Sequence, residues 1–349
     1  MLGIGSSHLY KQVYADDTLT EAWRHVRTGT DHAGVDGVTV VQFQARLFAN
    51  LKALQTTLRQ RRYQPQPVKR LSIPKPDGTR RPLGILTVVD RIVQRAVSLV
   101  IEPLFDAGFE ECSHGFRKGR SIHTALDQVV RLINHGYGWV VDLDIASCFD
   151  RINTVLLFTC IKDQLKDAEL RRIIWAWLEA ETVVVERQGL WRKREARGLL
   201  QGGILSPLFA NVYLDRFDKM ALKQGLKLVR YADDCLFCCR SQAEAEATLE
   251  SAHKFLARLD LEVNPRKTAI YHAEKGLYYL GERLLLKKRG PYEELVHVRR
   301  EHPGKAAPPL AAPLALPAAA EPTTTQEERW EPSTSSNKVP SSRGPGSVS

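Results

Sequence analysis

The sequence predicts an α+β fold, in which helices and short strands mix without the regular strand–helix–strand repeat of a parallel sheet. Residues 39–62 and 88–108 have apolar residues at spacings of three or four, which is typical of amphipathic helices. Residues 70–85 predict two short strands around a Pro-Asp-Gly turn, and residues 228–238 predict a second hairpin. Both patterns recur along the chain, so both kinds of element are expected in one fold.

Local signals support each element in the first half of the chain. Thr39 can cap the first helix, and its apolar face then recurs at helical spacing. Residues 88–108 and 121–135 give two further helices with apolar periodicity. Residues 139–145 are short and mostly apolar, so they predict a strand with Asp144 near its end.

The second half begins with a helix start at Ser206-Pro207, where a cap precedes proline at the first helical position. Two apolar runs then flank Ala232-Asp233-Asp234, which predicts a hairpin with the acids at its tip. Ser241 and Glu244 have the spacing of a capping box ahead of another amphipathic helix.

The charge of the chain is strongly basic and unevenly distributed. The formal net charge is +10. Residues 301–349 contain four basic and five acidic residues, which leaves about +11 on residues 1–300. Such a body fits a protein that binds phosphate backbones, although a requirement for solubility alone also explains it.

Several classes of protein are disfavoured by the same sequence. No run of about 18 apolar residues is present, so no transmembrane helix is expected. The first residues lack the apolar core of a signal peptide, which predicts a cytoplasmic protein. The six cysteines lack paired metal-ligand spacing, and Cys235, Cys238 and Cys239 lie in an apolar run, so core packing is favoured over a zinc site.

The acids at the predicted hairpin tip indicate a site for divalent cations. Adjacent carboxylates repel each other unless a cation neutralises them. Asp144, at the end of another strand, would join Asp233 and Asp234 in holding two Mg²⁺ ions, with Mn²⁺ as an alternative metal. The alternative for the Asp-Asp pair is a solvated turn.

Eight blocks of sequence identify a family. The blocks occur in the order found in the group II intron-like reverse transcriptases, and Tyr231-Ala232-Asp233-Asp234 matches the YxDD signature. The chain therefore resembles this family over about residues 10–285. The blocks are IPKPDGTRRPLGI (73–85), DRIVQRAV (90–97), SHGFRKGRS (113–121), DLDIASCFDRI (142–152), QGGILSPLFANVYLDRFD (201–218), RYADD (230–234), NPRKT (264–268) and YYLGE (278–282).

The resemblance implies the fingers and palm of a right-hand polymerase, with an antiparallel palm sheet backed by helices. Residues 1–135 would form an N-terminal extension and the fingers with part of the palm. Residues 136–290 would form the palm with the catalytic acids and the primer-grip region. The thumb is expected to be minimal or absent. Residues 304–349, rich in Pro, Ala and Ser, are predicted to be a disordered tail.

The resemblance also implies metal ligands and a proton donor. Asp144 and Asp233 would each bind both metals, with Asp234 in support. The backbone carbonyl of Ile145 would add an oxygen ligand. Lys267 matches a lysine proposed to protonate the leaving pyrophosphate, with a solvated surface lysine as the alternative.

Contacts to the nucleotide are implied in the same way. Phe149 matches an aromatic gate against the ribose 2′-hydroxyl, with core packing as the alternative. Gln201-Gly202 matches a loop that lies against the incoming nucleotide and template. Lys75 and Arg81 match the finger residues that grip the triphosphate, and the adjacent Arg80 is an alternative to Arg81.

Contacts to the nucleic acid complete the implied site. Leu280-Gly281 resembles the strand that grips the primer. Arg117 and Arg120 are candidate contacts to the template backbone, with a solvated charged turn as the alternative.

The function expected from the resemblance is RNA-directed DNA polymerisation. The substrates would be an RNA template, a DNA or RNA primer, and deoxynucleoside triphosphates. The expected settings are CRISPR spacer acquisition or antiviral defence, because the intron-specific domains lack a counterpart. A Cas1–Cas2 integrase, or another protein that supplies the clamp of the missing thumb, is the expected partner, with low processivity as the alternative. The alternative is a maturase-like RNA-binding protein without polymerase activity.

Overall fold

Three β-sheets and the helices around them make up the computed structural model, which describes residues 8–74, 80–185, 191–194, 198–289 and 292–298. All of these residues belong to one compact unit. The helices are α1 (His8–Val13), α2 (Asp16–Arg27), α3 (Val40–Gln44), α4 (Leu47–Arg59), α5 (Val88–Asp106), α6 (Ile122–Asn134), α7 (Cys148–Arg151), α8 (Thr154–Gln164), α9 (Ala168–Leu178), α10 (Ser206–Lys223) and α11 (Gln242–Ala257). The strands are β1 (Val68–Pro74), β2 (Arg80–Ile85), β3 (Trp139–Asp144), β4 (Thr182–Val185), β5 (Trp191–Arg194), β6 (Lys227–Tyr231), β7 (Asp234–Cys239), β8 (Ala269–His272), β9 (Leu277–Tyr279), β10 (Glu282–Arg289) and β11 (Tyr292–Val298).

The central sheet has the antiparallel order β6-β7-β3-β8 and is buried on both faces. On one face, Val140 and Cys238 pack in a core cluster with Leu126 of α6. On the other face, Phe237 contacts Phe217 of α10, with ring centroids 6.1 Å apart. Because side chains alternate across a strand, burial of both faces explains the nearly continuous apolar runs of β3 and β7.

The first of these faces changes from apolar to acidic along the strands. Val140 pairs with Cys238 within the apolar cluster. Four residues further along β3, Asp144 pairs with Asp234, and Asp142 lies between the two positions. Since alternate residues share a face, these three carboxyls leave the same side of the sheet at one end.

A second sheet, of order β2-β1-β4-β5, contains the predicted hairpin of residues 70–85. β1 and β2 are antiparallel, whereas β1 and β4 are parallel. The Gly84 backbone amide donates to the carbonyl of Gln201 at 2.8 Å. This bond ties the hairpin to the loop that precedes α10.

The third sheet, of order β9-β10-β11, follows the central sheet in the chain. Leu280 and Gly281 form the tight turn between β9 and β10, with φ values of +53° and +79°. Leu277 and Leu284 on this sheet belong to the same core cluster as α6. The sheet therefore packs beside the acidic end of the central sheet rather than apart from it.

The predicted helix of residues 39–62 is two helices, which corrects the expectation of a single one. α3 begins at the predicted cap, where the side chains of Thr39 and Gln42 form a capping box. Arg46 then has a non-helical backbone, with φ −128° and ψ 37°. The Asn50 side-chain amide donates to the carbonyl of Phe43 at 2.9 Å, so a side chain replaces a helical partner at the break.

The start of α10 also differs in detail. The helix begins at Ser206 with Pro207 in its first turn, as predicted, but the capping position belongs to Leu205. The Ser206 hydroxyl instead donates to the carbonyl of Leu200 at 2.6 Å. The serine thus fixes the preceding loop and does not cap the helix.

No helix in the described ranges is long and apolar enough to cross a membrane. The predicted tail of residues 304–349 lies outside the described residues. The boundary predicted between residues 135 and 136 stays a prediction.

Candidate active site

The acidic turn, defined here as residues 231–234, is the tight connection between β6 and β7. Tyr231 pairs with Asp234, so only Ala232 and Asp233 form the loop. Ala232 has φ +58°, as the first loop residue of a two-residue hairpin of this twist requires. Asp144 pairs with Asp234 across β3 and β7. Acids about 90 residues apart in sequence are therefore neighbours, as predicted.

Asp144 is held by a short segment that follows α11. The Asn264 Nδ2 donates to Asp144 Oδ2 at 2.9 Å, and the Asn264 backbone amide donates to the carbonyl of Asp144 at 2.8 Å. The Asp144 amide in turn donates to Thr268 Oγ1 at 3.3 Å. The NPRKT block predicts no role for either residue, because only the fold shows which of its side chains reach Asp144.

Lys267 lies at the open side of the same carboxyl. Its Nζ is 3.4 Å from Asp144 Oδ1, and its side chain is 67% exposed. The lysine therefore lies beside the acids and remains accessible to a charged substrate, and its role at the pyrophosphate stays a prediction.

Neighbouring carboxylates and burial raise the pKa values of two acids in the site. Burial, followed by the Asp233 and Asp144 carboxylates, raises the pKa of Asp234 to about 6. Burial, followed by Asp234 and Asp144, raises the pKa of Asp142 to about 7. The neighbouring carboxylates thus make ionisation of Asp234 and Asp142 less favourable, and a bound cation would remove that cost.

Divalent metal ions fit this donor set. Within the described ranges, no group of three or more His, Cys, Asp or Glu side chains is placed to hold a metal ion by itself. Mg²⁺ commonly takes one or two carboxylates and completes its shell with water and substrate phosphates. The carboxylates of Asp144, Asp233 and Asp234 suit such a shared site. The carbonyl of Ile145 follows Asp144 directly, where Ile145 pairs with Val263.

The loop of residues 198–203, which precedes α10, contacts both the Phe149-Asp150 segment and β2. The Leu199 amide donates to the carbonyl of half-buried Phe149 at 2.7 Å, and Gln201 Nε2 lies 3.2 Å from a carboxyl oxygen of Asp150. Gly202 has φ +104°, and a Cβ there would lie 2.7 Å from the carbonyl oxygen of Gly84. The glycine is needed for this close approach. The loop therefore contacts the Phe149-Asp150 segment through Leu199 and Gln201, and it contacts β2 through Gly202.

Comparison with known proteins identifies the family. The family described as "Reverse transcriptase (RNA-dependent DNA polymerase)" matches residues 73–284. The chain belongs to the reverse transcriptases. It is accordingly an RNA-directed DNA polymerase, as the motifs predicted.

Individual relatives agree with this assignment. Protein YkfC of Escherichia coli (strain K12) is 33% identical over 328 residues, covering 82% of this chain and 85% of YkfC. Group II intron-encoded protein LtrA of Lactococcus lactis subsp. cremoris is 34% identical over 227 residues, covering 64% of this chain and 37% of LtrA.

A solved structure shows the same fold. Apo telomerase from Candida tropicalis, truncated from its C-terminal domain, superposes with a TM-score of 0.51 at 15% identity. The match covers 63% of this chain and 53% of the telomerase chain. The reverse transcriptase fold is thus confirmed, together with the α+β class.

Two predicted nucleotide contacts of this reverse transcriptase cannot be placed. Lys75 lies outside the described residues, and Arg80 and Arg81 are described only as backbone in β2. Their contact with the triphosphate stays a prediction.

The Arg117 side chain makes its contacts within the protein, which does not support the expected contact with the template backbone. Its side chain is only 7% exposed and its Nε is 2.6 Å from Asp106 Oδ1. Its Nη1 also donates to the carbonyls of Glu110 and Ser113. Arg120 is more accessible, at 22% exposed, but its Nη2 pairs with Glu111 at 2.8 Å. The sequence did not predict these ion pairs, because Asp106 and Glu111 lie outside the SHGFRKGRS block.

The primer-grip hairpin of the reverse transcriptase is anchored to the acidic turn. The hydroxyl of buried Tyr279, one residue before Leu280-Gly281, lies 3.2 Å from the carbonyl oxygens of both Val229 and Asp234. Tyr279 thus joins the predicted primer-binding turn to both strands that carry the acids. Its place in the YYLGE block gave no signal for this contact.

Proposed function

We propose that this reverse transcriptase adds deoxynucleotides to the 3′-hydroxyl of a DNA or RNA primer on an RNA template. The observation that carries the proposal is the pairing of Asp144 with Asp234 at the edge of the acidic turn. It brings the acids of two separate motifs to one end of the sheet, beside an exposed lysine.

Asp144, Asp233 and Asp234 would hold two Mg²⁺ ions, with Mn²⁺ as an alternative. When bound, such a pair activates a hydroxyl nucleophile and stabilises the charge on a leaving group in an in-line displacement. The chain contributes fixed positions for the carboxylates, through Asn264 and Thr268 at Asp144.

Lys267 would act on the leaving pyrophosphate. In the structure its ammonium pairs with Asp144. Because the Lys267 side chain is 67% exposed, it would be free to turn from Asp144 toward the phosphates when that carboxylate holds a cation. There it would offset negative charge and donate a proton to pyrophosphate oxygen.

Phe149 and Gln201-Gly202 would shape the nucleotide site. Phe149 is half-buried and its backbone carbonyl accepts from Leu199 in the loop of residues 198–203, so its ring would border the deoxyribose. The Gln201 side chain lies against Asp150, and its carbonyl is held by Gly84. This arrangement supports a rigid wall that excludes a 2′-hydroxyl.

Primer extension tests the proposal against the alternative of a maturase-like binding protein. Purified protein is incubated with poly(rA)/oligo(dT), dTTP and Mg²⁺, and dTMP incorporation is followed. The proposal expects extension of the primer. Tight binding of the same primer–template without any incorporation, in Mg²⁺ and in Mn²⁺, would instead establish the binding protein.

We further propose a role in CRISPR spacer acquisition or antiviral defence, with a Cas1–Cas2 integrase as the expected partner in the first case. The sequence blocks resemble a family that includes CRISPR-associated members, which is the basis of this proposal, and cytoplasmic location is expected with it. Co-purification from the native host tests it: recovery of an integrase with bound RNA is expected. Recovery of intron RNA without any integrase would contradict the CRISPR assignment.

A further inference from the structure

Arg230, immediately before the acidic turn, carries a fully buried charge. Its side chain has 0% exposure and is among the largest fully buried side chains of the protein. Taking a guanidinium out of water is costly, and the cost is recovered only when partners satisfy its charge and its donors. The groups that surround the Arg230 guanidinium therefore indicate its role.

All five N–H groups of Arg230 have acceptors. Nε and Nη2 bind the two carboxyl oxygens of Asp218 on α10, at 2.7 and 2.5 Å. Nη2 also donates to Ser113 Oγ at 2.8 Å, and Nη1 donates to Asn211 Oδ1 at 3.0 Å. The last bond runs from Nη1 to the carbonyl of Ala232 at 2.8 Å. A guanidinium has five such donors, so none is left over.

The bond to Ala232 connects this buried group to the acids. Ala232 has φ +58° and is the residue directly before Asp233 in the acidic turn. A carbonyl in a strained two-residue loop depends on its partner for a fixed orientation. The Arg230 side chain supplies that partner from beneath the turn.

The SHG segment, residues 113–115, closes the other side of the turn. A Cβ on Gly115 would lie 2.3 Å from the Ala232 amide nitrogen, so the two backbones are in direct contact. Asn211 Nδ2 donates to the Gly115 carbonyl at 2.8 Å while its Oδ1 accepts from Arg230. The SHG segment, Asn211 of α10 and Arg230 thus pack together on one side of Ala232.

We propose that Arg230 is a positioning residue for polymerisation: it fixes the backbone of the acidic turn, and so the carboxylates of Asp233 and Asp234, relative to Asp144. The inference rests on the proposed function. Asp218 aligns the guanidinium through two parallel bonds, and Asn211 and Ser113 hold its remaining donors.

A purely stabilising role makes a different prediction. Apolar side chains of similar volume commonly replace a buried ion pair without loss of stability. They cannot replace a hydrogen bond to the Ala232 carbonyl. The double variant Arg230→Met/Asp218→Leu therefore separates the two roles, whereas either single variant leaves a buried charge unpaired.

The test compares the double variant with the full-length wild type in single-nucleotide incorporation on poly(rA)/oligo(dT). We expect the maximal rate at saturating dTTP to fall about 10- to 100-fold, the range in which small misplacements of reacting groups operate. The concentration of dTTP at half-maximal rate is expected to stay within about threefold, because Arg230 does not contact the nucleotide.

Tyr10→Phe is the matched control. It removes a buried hydrogen bond, of 2.6 Å to the carbonyl of Leu58, in the N-terminal helices. It should lower stability without changing the maximal rate. A folded double variant with the wild-type maximal rate would overturn the inference, while an inactive wild type would instead defeat the proposed function.

Hydrogen exchange of the backbone gives a readout independent of activity. In the double variant, a peptide spanning residues 229–236 should exchange faster, while peptides of α5 and α6 keep their wild-type rates. Unchanged exchange across the acidic turn would overturn the inference even if wild type were inactive. Should the double variant not fold, Arg230→Lys provides the same comparison, because lysine keeps the charge but cannot reach Asp218 and Ala232 together.

Discussion

Two aspartates two residues apart on β3 have different surroundings and different roles. Asp144 lies at the end of the strand beside Lys267 and Asn264, where a metal-bound substrate can approach. Asp142 lies further into the sheet, next to the buried hydroxyl of Tyr271. Its pKa is raised to about 7 by burial first and by Asp234 and Asp144 second. Asp142 is therefore substantially protonated at neutral pH.

This raised pKa predicts a specific dependence of stability on pH in metal-free protein. Between the ordinary pKa of an aspartate and about 7, folded Asp142 keeps a proton that the unfolded chain has lost. Stability therefore falls as pH rises through that range, by up to about 1.4 kcal/mol per pH unit for one proton.

Chemical denaturation at about pH 5 and about pH 7 measures this dependence. Asp142→Asn should flatten the decline, because asparagine resembles the protonated acid and does not titrate. Equal slopes for wild type and variant would contradict the raised pKa of Asp142.

Phe149 gives a prediction about selectivity for the sugar. Replacing its ring by valine opens the space that we assign to the 2′-position. Phe149→Val should raise the incorporation of UTP relative to dTTP on poly(rA), by about tenfold or more if one ring contact carries the discrimination. Leu157→Val, a change in the buried core of α8, is the control and should leave the ratio unchanged. Identical ratios for wild type and Phe149→Val would remove the gate.

At the scale of elements, the third sheet is joined to the central sheet by one buried hydroxyl. Tyr279 lies on β9, and its hydroxyl lies 3.2 Å from the backbone carbonyl oxygens of Val229 on β6 and Asp234 on β7, one of which accepts its proton. The predicted primer-grip turn follows at once, at Leu280-Gly281. Any movement of this turn relative to the acids must break or stretch that bond.

Tyr279→Phe should therefore weaken both the fold and the hold on the primer. Loss of one buried hydrogen bond is expected to cost about 0.5–1.5 kcal/mol in the free energy of unfolding. In addition, the primer–template should dissociate faster, which a trap assay measures as shorter products. Tyr10→Phe should show a similar loss of stability with product lengths unchanged. Equal product lengths for all three proteins would separate Tyr279 from primer binding.

Element positions were largely predictable from local signals, and the exceptions have physical reasons. The hairpin that carries Asp233 and the strand that ends at Asp144 follow from short apolar runs. The break between α3 and α4 does not, because it depends on Asn50 reaching back to Phe43. Ser206 failed as a cap because a loop carbonyl, at Leu200, takes its hydroxyl.

The residues of the candidate site also divide into those that sequence motifs predict and those that only tertiary contacts reveal. Asp144, Asp233 and Asp234 were predictable because their motifs have fixed spacing. Asn264 and Arg230 were not, because their partners are about 120 and 12 residues away and only packing brings them together. The structural role of Arg117 was missed for the same reason.

At the scale of the whole molecule, the basic charge predicts how nucleic acid binds. Residues 1–300 carry about +11, so a large part of primer–template affinity should come from displaced counterions. Raising salt from about 50 to about 200 mM should weaken primer–template binding at least tenfold and alter the half-maximal dTTP concentration far less. Fluorescence anisotropy with a labelled primer–template measures the first quantity. A salt-independent affinity would show that the charge serves solubility alone.

The central claim is that the carboxylates of two distant motifs act together in polymerisation, and one pair of matched variants tests it most directly. Asp144→Asn and Asp142→Asn change neighbouring acids on the same face of β3 by the same chemistry. In dTMP incorporation on poly(rA)/oligo(dT) with Mg²⁺, Asp144→Asn should lose at least about 10³-fold in rate, while Asp142→Asn stays within about tenfold of wild type. Comparable rates for Asp144→Asn and wild type would contradict the account.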